Sequence, residues 1–173
     1  MALKALLSIV GVNEEFTVVE FEHRLSQTVD TNGIPQDGPH GGMLFVTINT
    51  PEKNYALYDW MLSSKQEDGC VYLVLNAKNK QSSFKTIHFE EAYCVNLYEY
   101  FNNHNENMMT IKLVISANKV YFVDGDGTGH GFYAKEQREI NVPVGISTKP
   151  MTRKRIRIFG EEDMDLRSSL TNK

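Results

Sequence analysis

FKTIHFEEAYCVNLYEYF, residues 84–101, faces MMTIKLVISANKVYFV, residues 108–123, across the polar break 102–107, and the reading of this pair decides the fold. In the first run Ile87, Phe89, Tyr93, Val95, Leu97 and Phe101 share one parity, while His88, Glu90, Asn96 and Tyr98 share the other. In the second, Met109, Ile111, Leu113 and Ile115 alternate with Thr110, Lys112 and Ser116. Alternation of period two predicts β-strands with one buried face. The break, rich in Asn with a His and a Glu, carries turn chemistry. The expectation is a long antiparallel hairpin forming the wall of a barrel. Ile87, Phe89, Val95, Leu97, Leu113 and Ile115 should supply most of its buried side chains. Each run is longer than the usual strand, so a bend or bulge within it is expected.

Outward from this hairpin the same period recurs. Leu3, Ala5, Leu7 and Ile9 share a parity in a first strand. Phe16 to Gln27 reads as a second, with Val19, Phe21 and Leu25 set against Glu20, Glu22 and Arg24. Met43 to Asn49 is extended, and Cys70 to Ala77 is too apolar to leave either face in water. Between the second and third strands, DTNGIPQDGPHGG (residues 30–42) is dense in Gly, Pro, Asn and Asp. A loop of this length in a compact domain is functional or disordered. One helix is expected, with Thr50 as its cap, Pro51 at its first position and an end near Ser63-Ser64. Tyr55, Tyr58, Met61 and Leu62 form its apolar stripe, and Trp60 lies off that stripe.

The chain has 173 residues, 41% hydrophobic and 23% charged, with a net charge of −4. This is the composition of a soluble globular protein, and the length suits one domain, or one domain plus an extension. We assign residues 1–123 to the barrel, and residues 124–173 to a Gly/Asp-rich turn followed by a C-terminal extension. The acidic balance gives no support for nucleic-acid binding, and no apolar run approaches the roughly 20 residues of a membrane span. The opening MALKALLSIVG reads as a strand rather than a cleaved signal. Two cysteines, Cys70 and Cys94, fall in predicted strands and read as small buried residues. A bridge between them would need neighbouring strands with suitable geometry.

Catalytic and metal-binding patterns are wanting. Asp124, Asp126 and Thr128 imitate a calcium loop, but Lys135 stands where the bidentate acid belongs. The five histidines lack ligand spacing to a Cys or an acid on one element. Glu90 and Glu91, adjacent in a strand, should point to opposite faces. In the tail, KRIRIF (residues 154–159) alternates enough for one more short strand, and its charges suit an edge. Lys154, Arg155 and Arg157, followed by Glu161 and Glu162, are candidate partners in a contact between subunits.

The ordered set DTNGIPQDGPHGG, MLFVTINT, LYDWM, FEEAYCVNLYEYF and MMTIKLVISANKV resembles the Hcp (TssD) tube proteins of type VI secretion systems, in their Bacteroidota-like form, across about Leu3 to Phe122. The resemblance implies a mainly β protein: a small antiparallel barrel with one flanking α-helix. It implies a structural subunit, not an enzyme, that self-assembles into hexameric rings stacked as a tube. A contractile sheath expels that tube, and effectors ride in its lumen. Its partners would be itself, sheath and spike proteins and effectors, with no cofactor, nucleic acid or membrane insertion. It would assemble in the cytoplasm and leave without a cleaved signal. The long loop would contact neighbouring subunits through Asp30, Asn32, Gly33, Ile34, Pro35, Gly38, Gly41 and Gly42. A small-molecule-binding barrel without catalytic activity is the alternative reading.

Overall fold

A computed structural model describes residues 2–12, 14–50, 55–77, 80–102, 108–134, 138–140 and 142. In chain order the elements are β1 (Ala2–Ile9), β2 (Glu15–His23), β3 (Met43–Asn49), α1 (Tyr55–Ser63), β4 (Glu67–Ala77), β5 (Lys80–Asn102), β6 (Met108–Ser116), β7 (Lys119–Asp124), β8 (Gly129–Tyr133) and β9 (Arg138–Ile140). All the strand pairs are antiparallel. The order β4-β1-β2-β3-β6-β5 closes on itself through a β4–β5 pairing, so six strands make a barrel. Closure removes the exposed edges that an open sheet would carry.

The long hairpin is present. One edge of β5 carries β6 and then β7 as a nearly continuous partner, from Asn102↔Met108 to Lys85↔Asp124. The other edge carries β4, from Glu67↔Ala92 to Ala77↔Lys80. The sheet continues past the hairpin: β8 pairs with β7, β9 pairs with β8, and Phe132 of β8 belongs to the core. The connecting residues 103–107 lie outside the described residues, as do Pro51 and residues 154–159, where one more strand was expected.

Beyond a register shift at Phe84, between Ser83 and Lys85, the simple parity of β5 fails at two further places, both bulges. Between Phe89 and Ala92 β5 takes three steps where β4 takes two, and Glu91 adopts φ 52°. A second extra residue, Val95, lies between Cys94 and Asn96. Each insertion turns the following side chains to the other face. The inward set is therefore Ile87, Phe89, Ala92 and Cys94, with Leu97 regaining the original parity against the core. Val95, expected inside, is 46% exposed because it is the bulged residue. Phe101 and Met109, near the far end of the hairpin, are exposed too. In β2 the bulged residue is Val19, between Val18 and Glu20, so Phe16 and Val18 fill the core while Val19 faces water. Leu25 lies beyond the end of β2 and is exposed.

The helix is also turned from its expected face. Leu57 and Trp60 are buried, whereas Tyr55 and Leu62 are about four-fifths exposed. Trp60 stacks on Phe89, with ring centroids 6.5 Å apart and planes at 7°, and its Nε1–H donates to the Lys65 carbonyl at 3.1 Å. An aromatic ring on an inward strand supplies the partner that helical periodicity alone could not name. Gly69 lets this packing happen: a Cβ there would lie 2.5 Å from the Phe89 ring and from the Ser8 carbonyl oxygen. Along the barrel axis Leu44, Val46, Ile48, Ile111, Leu113 and Ile115 are at most 1% exposed, so side chains fill the interior.

The first bulge also revises the expectation that Glu90 and Glu91 diverge. Both carboxylates meet Lys119, at 3.5 Å and 2.5 Å from Nζ. The positive φ at Glu91 swings its side chain toward the β6–β7 junction, where Asn118 Nδ2 also donates to it at 2.7 Å. Burial raises the Glu90 carboxyl more than Lys119 lowers it. Lys119 itself is raised, chiefly by its bond to Glu91. The two partners thus move the same way for different reasons.

Candidate assembly surfaces

The glycine- and proline-rich loop is an ordered arm. Ser26 and His40 pair across its base through backbone bonds of 3.0 and 2.8 Å, and Gln36 N donates to Thr28 O at 2.9 Å. At its tip the Asp30 carboxylate accepts from Asn32 N and Ile34 N, each at 2.8 Å, and Asp30 N donates to Ile34 O at 2.9 Å. This is an Asx-type turn, and Gly33 provides the left-handed step at φ 79°. Local side-chain bonds therefore replace the hydrophobic core the loop lacks.

The root of the arm is fixed by packing. The His23 Nε2–H donates to the Gly41 carbonyl, and the His23 ring lies 5.2 Å from that of Phe122 and 6.4 Å from that of Phe132. Burial lowers the His23 pKa, and the charge of Lys85 lowers it further, against the Gly41 bond that raises it. Gly41 and Gly42 run too close to neighbours for a Cβ, which would sit 2.8 Å from Arg24 O at Gly41 and 2.5 Å from Ala117 O at Gly42.

Of the residues expected at an interface, Asp30, Asn32, Gly33, Ile34 and Pro35 gather at the arm's tip. Gly38 lies on its return limb, while Gly41 and Gly42 belong to the root. Leu25, Val29 and Ile34 were not singled out together by the sequence, yet all three are more than half exposed on this one arm. Their signal, three aliphatics in a polar loop, is visible in hindsight. Lys154, Arg155, Arg157, Glu161 and Glu162 lie outside the described residues.

A second surface is the outer wall of β2, β3, β6 and the C-terminal half of β5. Glu20, Thr47, Lys112 and Tyr98 form one cross-strand row, and Glu22, Phe45, Val114 and Asn96 the next. They line a shallow groove of about 680 Å³ with carboxylates at one side, a lysine in the middle and a tyrosine at the other. Such a mixed wall suits a partner surface better than it suits chemistry. Among the described residues no group of three or more His, Cys, Asp or Glu is placed to hold a metal, and no helix is long and apolar enough to cross a membrane.

Comparison with known proteins bears on these surfaces. A family model described as hemolysin coregulated protein Hcp (TssD) matches residues 1–128. No curated protein matches the sequence. Among solved structures, Hcp1 from Flavobacterium johnsoniae is 25% identical, with a TM-score of 0.62 over 75% of this chain and 98% of that one. Hcp1 from Salmonella typhimurium, 13% identical, gives 0.66 over 80% and 100%. Secreted protein Hcp3 from Pseudomonas aeruginosa, also 13% identical, gives 0.58 over 76% and 98%. The last two are similar in fold alone.

Proposed function

Because this chain belongs to the Hcp (TssD) family, we propose that it works in the type VI secretion tube as stacked hexameric rings joined through the arm of residues 24–42. That the chain is a tube subunit follows from the family, whose members form hexameric rings. The observation that carries the finer reading is the arm itself. It is tied by hydrogen bonds at its base and tip and leaves more than half of Leu25, Val29 and Ile34 exposed. A head-to-tail contact around a ring closes, whereas the ring faces remain open and propagate a tube.

On this reading the protein assembles in the cytoplasm and is expelled by a contractile sheath. It meets spike proteins at the tube's end, carries effectors in the lumen and catalyses no reaction. Residues 154–162 add a second contact between neighbours, with the basic block of one subunit facing the acidic block of the next. A ligand-binding barrel is disfavoured because the barrel axis is filled by side chains. Negative-stain microscopy of the purified full chain tests the proposal. Six-membered rings and short stacks are expected; a monomer at every concentration up to the solubility limit would overturn it.

A further inference from the structure

The two limbs of the arm leave the barrel out of step. His23 pairs with Leu44 at the last rung of the β2–β3 ladder, and Ser26 pairs with His40 at the base of the arm. Three steps on the outgoing limb thus answer four on the return limb, and the ladder between the limbs is interrupted there. Across this gap the His23 side chain takes the place of a ladder bond, its Nε2–H donating to the Gly41 carbonyl. The imidazole packs against Phe122 and Phe132, whose rings stack with centroids 6.2 Å apart. Phe132 also flanks Gly41, where a Cβ would lie 3.3 Å from its ring. One side chain therefore ties the point where the arm leaves to the point where it returns, and both to the aromatic pair beneath.

We propose that His23 is a proton-operated latch on the arm: neutral, it ties the two limbs together, and protonated, it leaves its seat and loosens the arm's base. Nε2 already carries the hydrogen given to Gly41, so an added proton must sit on Nδ1 and make the ring a cation. A phenyl face attracts a cation, but that of Phe122 is taken, with Lys85 Nζ 5.6 Å from its centroid. A second positive charge in the seat loses its water and meets that of Lys85. Burial accordingly lowers the His23 pKa and Lys85 lowers it further, against the Gly41 bond that raises it. The other charged groups nearby are engaged or turned away. Glu22 and Arg24, its neighbours in sequence, pair with each other on the outer wall. Asp124, opposite Lys85 in register, is exposed. His130, opposite Phe122, lies 3.5 Å from Glu139. A ring released into water titrates near 6.5, above the seated ring, so each proton taken up favours release. The released fraction therefore rises as pH falls through about 6.5 and levels off below the seated value. The latch acts within one chain and stands without the tube reading. Where the arm joins subunits, as proposed above, acid would loosen that joint.

Amide hydrogen exchange of the full chain tests the latch. Peptides covering residues 24–42 are followed by mass spectrometry at pH 7.5 and 5.0. Rates are corrected for the intrinsic effect of pH, and assembly state is matched by sedimentation. Peptides from β3 and β6 serve as controls. Protection of the arm should fall at least threefold at pH 5.0 while the controls hold steady. In His23→Gln, which keeps a donor for Gly41 but does not titrate, the arm should stay protected at both pH values. An unchanged arm in the parent, or an equal fall in His23→Gln, would overturn the proposal. His40→Gln, at the other histidine of the arm, should retain the fall, and its disappearance there would refute the role of His23. Should His23→Gln fail to fold, the parent chain decides. Slow exchange of the imidazole carbon-bound hydrogen gives the titration of His23 itself, and the arm's transition must lie between that value and about 6.5. A transition outside this window, or a His23 value at or above 6.5, refutes the latch.

Discussion

Ile115 has no exposed surface and sits between Leu44 of β3 and Cys94 of β5. Its truncation to alanine should cost about 2–5 kcal/mol, the lost transfer energy plus an unfilled cavity. Val95, which follows Cys94 on β5 but is bulged outward, should lose less than about 0.5 kcal/mol in the same test. Urea midpoints for Ile115→Ala and Val95→Ala check both, and equal midpoints would contradict the placement of the bulge. His23 supplies a pH test. Its pKa is depressed in the fold, so its contribution is complete above the unfolded value near 6.5 and is lost as pH falls through the folded value. Melting temperature should therefore fall on acidification from pH 7 to 5. The fall should be smaller in His23→Gln, which keeps a donor for the Gly41 carbonyl; identical slopes would remove His23 from the account.

A strand of twenty-three residues cannot run straight around so small a barrel, and the register shift at Phe84 and the bulges at Glu91 and Val95 are where it turns. The bulge at Glu91 is tied down by Lys119, which bridges Glu90 and Glu91 while its side chain is only 21% exposed. Replacing Lys119 with Met would leave two carboxylates crowded without their cation. The expected loss is about 1–2 kcal/mol, between the values for surface and for buried pairs. Lys119 is raised in the fold, so the stability it adds is complete below the unfolded value near 10.5 and disappears as pH rises through the folded one. Chemical denaturation at pH 7 and at pH 11 should show the difference between Lys119→Met and the parent shrinking at the higher pH. A constant difference would place the bridge's role elsewhere.

For the whole molecule the question is which surfaces meet in the tube. Deleting Ile34 to Gly38 removes the Ile34 anchor and the tip of an arm that contributes nothing to the core. The deletion should leave the melting temperature within a few degrees of the parent and shift sedimentation from rings toward single subunits. If the shortened protein assembles as readily as the parent, the arm is not the joint. The outer wall around Phe45, Lys112 and Tyr98 would then be the next surface to test.

Period-two alternation sufficed to read strands in the chain, because a strand's two faces meet different solvents and the residue types record it. The Gly- and Pro-dense loop, the helix boundary near Ser64 and the order of elements shared with the Hcp family were equally legible. The candidate interface was legible as a place, residues 30–42, but not as chemistry. Its exposed Leu25, Val29 and Ile34 acquire meaning only once the arm is seen standing free of the core. Tertiary structure alone decided the facing of Val95, the meeting of Glu90 with Glu91, and the burial of Trp60. Parity is a local property, but where a strand gains an extra residue depends on its partner's register. A single inserted residue reverses every side chain that follows it. Trp60 likewise turns inward because Phe89 and the side-chain-free Gly69, distant in sequence, leave room for it.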